Sequence, residues 1–325
     1  MSTNGNKIII SDWNKNLKAY RAPNNFFNEL KSSYDFYFTN QNLKKNNVVA
    51  YFGNTPTEEY LNCFKNLEWV HFGSVGIDKI SEDFIRNRNL TVTNSKGINS
   101  NSVITYCIGE LFRSCKVFNI GNKSLQNRDK YDDYFEQMLD FDDIDLAILG
   151  YGEIGRGLKE FLSGKVNSIN VVTRSKRKKT GDTNYFSLNE LKPALEDRTH
   201  IINVLPLTRK TLNIINSKSL KFFPKDVFYI NAGRGETNDM VELKKISKKG
   251  LIRGCSIDVF GLPNGEIKKE YLELDNFTLT PHISGWTKNF WDSQSSLCKK
   301  NIKFFHKKDF NNMKNLVFNQ GNLIK

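Results

Sequence analysis

The sequence predicts an α/β protein built from doubly wound parallel sheets. Three observations predict it. The chain has 325 residues, enough for two domains at about 150 residues each. Short aliphatic runs alternate with stretches of helical periodicity, as parallel sheets require, because a parallel neighbour is reached only through a crossover. One such run, Leu146–Leu149, leads straight into Gly150-Tyr151-Gly152-Glu153-Ile154-Gly155, a glycine turn that opens a helix.

Lys7–Ile10, Val48–Phe52, Leu67–Phe72 and Leu90–Thr93 read as short buried strands. Helical stretches at Phe26–Lys31 and Thr57–Lys65 lie between them, which makes a first small parallel unit. Ser100–Phe118 reads as one long helix. Ser100 or Asn101 can cap it, and Val103, Ile104, Cys107, Ile108 and Leu111 recur at helical spacing. Residues 119–140 have no clear period and are expected to form a helix and a connecting arm. A second series starts at Asp145. Strand LAIL is followed by helix RGLKEFL, strand INVV, helix LNELKPAL, strand HIINVL, helix SKSLKFF, strand VFYIN, helix DMVELKKIS, then strands IRGCSID and FTLT. After Trp286 the chain is helical again and is expected to return to the first unit. The expected division is therefore a domain of residues 101–286 inserted into one made of 1–100 plus 287–325.

Lysine and arginine number 48 against 35 aspartates and glutamates, a net charge of +13. That balance suits an anionic partner, but the lysines are interleaved with acids nearly everywhere. No RNA-binding aromatic motif and no zinc spacing accompanies them, so neither nucleic acid nor metal is expected. The five cysteines form no CxxC pair and are odd in number, which fits reduced structural thiols in a cytoplasmic protein. The first residues, MSTNGNKIIISDWNKN, have no long apolar run and no small-residue cleavage site. Neither a signal peptide nor a membrane association is expected.

The glycine turn lets a backbone approach a pyrophosphate, and the helix start supplies N–H donors. A plain strand-to-helix turn is the alternative. The next strand ends Val171-Val172-Thr173-Arg174-Ser175-Lys176-Arg177-Lys178-Lys179. Folds that bind NAD usually place an acid here for the ribose hydroxyls; this one has none. Thr173, Arg174, Ser175 and Lys176 would instead suit a 2′-phosphate. NADPH is therefore expected to be preferred, with NADH possible; a solvated basic loop is the alternative.

Further on stand Asn203-Val204-Leu205-Pro206-Leu207-Thr208 with Thr211, Asn231-Ala232-Gly233-Arg234-Gly235, Ile257-Asp258-Val259-Phe260 and Thr280-Pro281-His282-Ile283. With the glycine turn, these motifs make the chain resemble the D-isomer-specific 2-hydroxyacid dehydrogenases, especially the NADPH-linked glyoxylate and hydroxypyruvate reductases. Phe72-Gly73-Ser74-Val75-Gly76-Ile77-Asp78 resembles the family's substrate-carboxylate loop. The resemblance implies two Rossmann-like or flavodoxin-like domains, a homodimer, and reduction of a 2-keto acid to a D-2-hydroxy acid. It implies that Gly150, Gly152, Glu153, Ile154 and Gly155 hold the pyrophosphate, and that Leu205, Pro206 and Thr211 line the cofactor cleft. Ala232 and Gly233 would approach the nicotinamide-side ribose, Asp258 would contact the nicotinamide amide, and Gly285 would complete the cofactor set. Arg234 would bind the substrate carboxylate and polarise the keto oxygen, with Ser74, Val75 and Gly76 on the carboxylate's other side. His282 would donate the proton.

Chemistry asks for the same residue types. Reduction of a keto carbon builds negative charge on oxygen, which a fixed guanidinium and a proton donor stabilise. The arginine fork matches a carboxylate, and histidine titrates near working pH. One departure stands out. The family sets a glutamate five residues past the aspartate, where it keeps the histidine protonated; position 263 here is proline. Glu266 could take its place, His282 could work unassisted, or the chain could be a cofactor-binding regulatory or corepressor-like protein with little turnover. Phe52, Phe72, Trp286, Phe290 and Trp291 fit either a roomy pocket mouth or interdomain packing.

Overall fold

In the computed structural model the residues described are 7–13, 21–23, 26, 34–39, 43–116, 138–174, 177–260 and 269–324. Outside them lie the expected helix beyond Phe26, most of the 119–140 arm, Ser175, Lys176, Pro263 and Glu266. The chain divides into two compact units, Met1–Asn99 with Trp286–Lys325, and Ser100–Gly285.

The first unit opens with strands β1 (Ile8–Ser11), β2 (Asp35–Phe38) and β3 (Val48–Gly53), then helix α1 (Glu58–Asn62), β4 (Trp69–Phe72), α2 (Glu82–Asn87) and β5 (Thr91–Thr93). The strands lie parallel in the order β2-β1-β3-β4-β5. Their side chains alternate between two faces, as the strand period of two demands. Ile8 and Ile10 join Tyr51, Val70 and Phe72 in one core cluster, while Ile9 joins Ala50, Phe52 and Trp69 in the other. Each helix start is capped from its own sequence: Thr57 accepts from the Tyr60 N–H, and Ser81 from that of Phe84.

The second unit begins with α3 (Ser100–Cys115) and continues as β6 (Asp145–Leu149), α4 (Glu153–Leu162), β7 (Ser168–Val172), β8 (Thr183–Phe186), α5 (Leu191–Leu195) and β9 (His200–Asn203). Then come β10 (Phe228–Asn231), α6 (Met240–Lys248), β11 (Gly254–Ile257), α7 (Lys269–Leu272) and β12 (Phe277–Leu279). All seven strands are parallel, in the order β8-β7-β6-β9-β10-β11-β12. The order reverses direction between β6 and β9, and in such sheets the ligand crevice lies at the strand C-termini beside the reversal. α4 is held against the sheet by Leu158 and Leu162, both fully buried, each contributing about 2 kcal/mol. α8 (Phe290–His306), β13 (Leu316–Asn319) and β14 (Asn322–Leu323) return to the first unit. β13 pairs antiparallel with β5 and β14 with β13.

Several elements differ from the sequence expectation for identifiable reasons. β2 (DFYF) and β8 (TNYF) are half-buried edge strands without an aliphatic run, so periodicity does not reveal them. SKSLKFF forms only a 3₁₀ turn at Ser219–Phe222, because Pro224 follows at once and its neighbour avoids helical backbone. LNELKPAL splits into a 3₁₀ turn and α5. Pro193 fits there since first-turn N–H groups need no helical acceptor.

Candidate active site

The glycine turn joins β6 to α4. Gly150 has φ of +109°, and a Cβ there would lie 3.0 Å from the Val204 carbonyl oxygen. A Cβ on Gly155 would overlap the Gly150 carbonyl oxygen, so only glycine lets the helix sit this close to the strand. Nothing stands within 4 Å of the corresponding point on Gly152, whose face is open. Gly152 is also the N-cap of α4 and offers no side-chain cap. The first-turn N–H groups, those of Glu153 and Ile154 among them, therefore have no helical partner. An open glycine face and an uncapped helix start fit a pyrophosphate.

Beyond β7, Thr173 is buried and its N–H donates to the Phe186 carbonyl at 2.9 Å, while Arg174 is exposed. Arg177 lies over the ring of Tyr151, 5.1 Å from its centroid. The Tyr151 hydroxyl is 3.2 Å from that of Tyr185. Arg177 thus folds back onto the glycine turn. Arg177 is a contact that charge alone did not single out.

Two buried asparagines shape the loops after β9 and β10. The Asn203 side-chain oxygen accepts from the Leu205 N–H, and that of Asn231 accepts from the Gly233 N–H, each at 3.0 Å. Asn203 also donates to the hydroxyls of Tyr229 (2.8 Å) and Thr237 (2.9 Å). Thr237 in turn donates to the Arg234 carbonyl at 2.6 Å, and Tyr229 to Asn238 Oδ1 at 2.6 Å. This network fixes the backbone of Arg234, whose guanidinium is half-buried and donates to the Gly233 carbonyl at 2.8 Å. Gly233 lies close under the previous loop: a Cβ there would come 2.7 Å from the Leu205 carbonyl oxygen. Leu205 and Ala232 are buried, and Pro206 is exposed. Thr211 is buried with its hydroxyl donating to the Pro206 carbonyl at 2.6 Å. It pins this loop. The sequence signal for the asparagine hub is an Asn closing each strand before a loop, a pattern that favours local side-chain-to-backbone bonds.

His282 follows β12 on a turn organised by Asp258, and its own backbone is left-handed, with φ of +55°. The Asp258 carboxylate is fully buried. One oxygen accepts from the Thr280 hydroxyl (2.6 Å) and the Ile283 N–H (2.8 Å), the other from the Ser284 N–H (3.0 Å). Its backbone carbonyl accepts from the His282 N–H at 3.0 Å. The acid expected to meet the nicotinamide amide is thus wrapped by the histidine's own turn. Since Thr280 donates to Asp258, its oxygen must accept from Tyr106, 2.9 Å away; Tyr106 then accepts from Ser256, also at 2.9 Å. Ser102, on the same helix α3, donates to the Ser284 carbonyl at 2.8 Å. No sequence motif pointed to Ser102 or Tyr106. Burial among protein atoms pushes the His282 imidazole below its ordinary value. Asp258 acts upward, Arg234 downward and Glu236 upward. The residue as a whole is exposed, so water tempers the burial effect. Gly285 ends the turn, half-buried.

Replacing Thr280 by Val leaves an Asp258 oxygen and the Tyr106 hydroxyl each one partner short. Unfolding free energy should fall by about 1–3 kcal/mol, read from denaturant melts, and Thr280→Ser should retain most of it.

In the first unit, the loop after β4 carries Ser74, Val75 and Gly76. Ser74 donates to the Gly76 carbonyl at 2.9 Å, and the Val75 carbonyl accepts from Asn94 at 2.8 Å. Val75 is exposed. Phe52 and Phe72 are fully buried in the core. Trp286 and Trp291 pack on Phe290, 4.4 Å and 5.1 Å between ring centroids, so this aromatic set reads as packing. His71 and His200 are buried strand residues, both pushed down to about 3 chiefly by burial, and His306 is exposed. Four cysteines are buried and Cys63 is exposed, all of them free. Among the described residues no His, Cys, Asp and Glu cluster could hold a metal, and no helix is long and apolar enough to cross a membrane.

Residues 108–284, more than half of the chain, match the NAD binding domain of the D-isomer specific 2-hydroxyacid dehydrogenases. The chain belongs to this family. As an NAD(P)-dependent 2-hydroxyacid dehydrogenase it is 26% identical over 252 residues to a glyoxylate/hydroxypyruvate reductase of Arabidopsis thaliana, covering 77% of this chain and 76% of the relative. A glyoxylate reductase of Pyrococcus furiosus is 25% identical over 246 residues, covering 71% and 70%. Among solved structures, the dehydrogenase has the fold of an NADPH-dependent glyoxylate/hydroxypyruvate reductase from Sinorhizobium meliloti in complex with NADP and malonate. The TM-score is 0.82 at 21% identity, over 99% of both chains. It is equally similar to a D-lactate dehydrogenase from Aquifex aeolicus complexed with NAD and lactic acid, with a TM-score of 0.83 at 20% identity over 96% and 99% of the two chains.

Proposed function

We propose that this dehydrogenase uses NADPH to reduce a 2-keto acid of the glyoxylate or hydroxypyruvate class, or a larger one, to a D-2-hydroxy acid. The observation that carries the reading is the pair Arg234 and His282, each fixed by its own buried network in the loops that follow β10 and β12 of one parallel sheet. When bound, the nicotinamide supplies the hydride. Arg234 binds the substrate carboxylate and draws electron density toward the keto oxygen. His282 delivers a proton to that oxygen from its imidazolium. Asp258 sets the backbone of His282, so its contribution is to position the donor.

The cofactor preference rests on the end of β7, where Thr173 and Arg174 stand in place of an acid and Arg177 folds onto Tyr151. A guanidinium is favoured by a phosphate and indifferent to a bare ribose. Arg174→Ala should lower kcat/KM for NADPH by roughly tenfold to a hundredfold and leave that for NADH nearly unchanged. Steady-state rates with both cofactors decide it. Equal or better use of NADH by the unaltered enzyme contradicts the preference. Tight NADPH binding without turnover on any 2-keto acid would support a regulatory, cofactor-binding protein instead.

A further inference from the structure

We propose that helix α3 clamps the His282 turn at two points, Tyr106 and Ser102, which hold the histidine in its left-handed backbone and so direct its ring. The inference rests on the reduction proposed above and names what positions its proton donor. Both are positioning residues, acting through His282.

The two anchors bracket the histidine. The Tyr106 hydroxyl lies 2.9 Å from that of Thr280, two residues before His282. The Ser102 hydroxyl donates at 2.8 Å to the carbonyl of Ser284, two residues after it. Residues four apart share one face of a helix, so Ser102 and Tyr106 meet the turn together. The first anchor touches His282 itself, because the Thr280 carbonyl accepts from the His282 N–H at 2.9 Å. Such bracing has a purpose here. His282 has φ of +55°, a conformation that a side chain of its size keeps only where the surroundings over-determine it.

The first anchor also has a fixed direction. A carboxylate only accepts, so Thr280 donates to Asp258, Tyr106 to Thr280 and Ser256 to Tyr106. Three hydroxyls in line point the same way, and each bond of such a chain strengthens the next. Burial pushes the Tyr106 phenol up to about 12, so its proton stays on the oxygen at working pH. Phenylalanine would fill the same space but leave Ser256 without this acceptor and Thr280 without this donor. The helix does not depend on either hydroxyl. Val103, Cys107, Leu111 and Cys115 are buried in the core and keep α3 in place, so losing an anchor loosens the turn and spares the fold.

The test combines steady-state kinetics of keto-acid reduction with histidine ring NMR of the full chain. The chain has four histidines, and His282→Gln identifies the signal of interest. Tyr106→Phe should lower kcat by roughly tenfold to a hundredfold, as misplacement of a reacting group does. The KM of the keto acid and the affinity for NADPH should stay nearly unchanged. Ser102→Ala should show the same pattern more weakly. In both variants the His282 ring signals should shift, while those of His71 and His306 stay in place. In a His282→Gln background, Tyr106→Phe should cost nothing further, because its effect passes through the ring it would misdirect. An unmoved His282 signal overturns the clamp, and so does an unchanged kcat in the active enzyme. An equal loss in the His282→Gln background also overturns it, since Tyr106 would then act on the fold at large. A shifted His282 signal in a protein that reduces no 2-keto acid sustains the clamp while removing the proposed reaction.

Discussion

Arg234→Ala should lower kcat/KM for 2-keto acid reduction by about a thousandfold, the upper range for losing a preorganised donor to a developing oxyanion. The loss should fall on both kcat and KM, because the guanidinium is proposed to hold the carboxylate as well as to draw charge from the carbonyl. Arg234→Lys should recover little, since an ammonium has no fork. The loop should survive either change: besides the guanidinium's bond to the Gly233 carbonyl, its backbone is held by Asn203, Asn231 and Thr237. There is also a directional signature. Arg234 pushes the His282 imidazole down. Removing it should therefore move the alkaline limb of whatever activity remains to higher pH. Steady-state kinetics across pH reads both effects at once.

His282→Gln should lower kcat by about a hundredfold to ten thousandfold while leaving NADPH affinity unchanged, as measured by nucleotide fluorescence. The pH sign follows from the protonated form being the active one. In the unaltered enzyme, reduction is full below the pKa of His282 and is lost as pH rises through it. In His282→Gln that limb should vanish, leaving a low, flat rate. Persistence of the same limb in the variant would assign the proton to another group. The positive φ at His282 adds strain for most replacements, about 1 kcal/mol. Asn, which tolerates that backbone better, is therefore a useful second variant.

Much of this was legible in the sequence, for physical reasons that can be named. The strands that lead into the candidate site, β6, β9, β10 and β11, are almost wholly buried in a parallel sheet and so read as mainly apolar runs. Gly150 and Gly155 are dictated by backbone approach that no other residue allows, which is why the glycine turn stands out. Arg234 follows β10 and His282 follows β12, a half-buried strand, so their place followed from the strand ends. Other parts were not legible. Tyr106 and Ser102 reach the His282 turn across more than 150 positions of sequence, and no local pattern encodes a contact that long. The edge strands β2 and β8 are half-buried and mixed in character. The groups that enclose Asp258 were not legible either, because a motif states where an acid stands and not which donors surround it.

The central claim is that the purified chain couples NADPH oxidation to reduction of a 2-keto acid. The most direct measurement follows NADPH absorbance on addition of 2-keto acids of graded size, beginning with glyoxylate and hydroxypyruvate, and determines the configuration of any chiral product. NADPH consumption is expected with at least one of these acids, with a D product and loss of the signal in Arg234→Ala and His282→Gln. Saturable NADPH binding with no consumption on any acid of the series, or an L product, would contradict it.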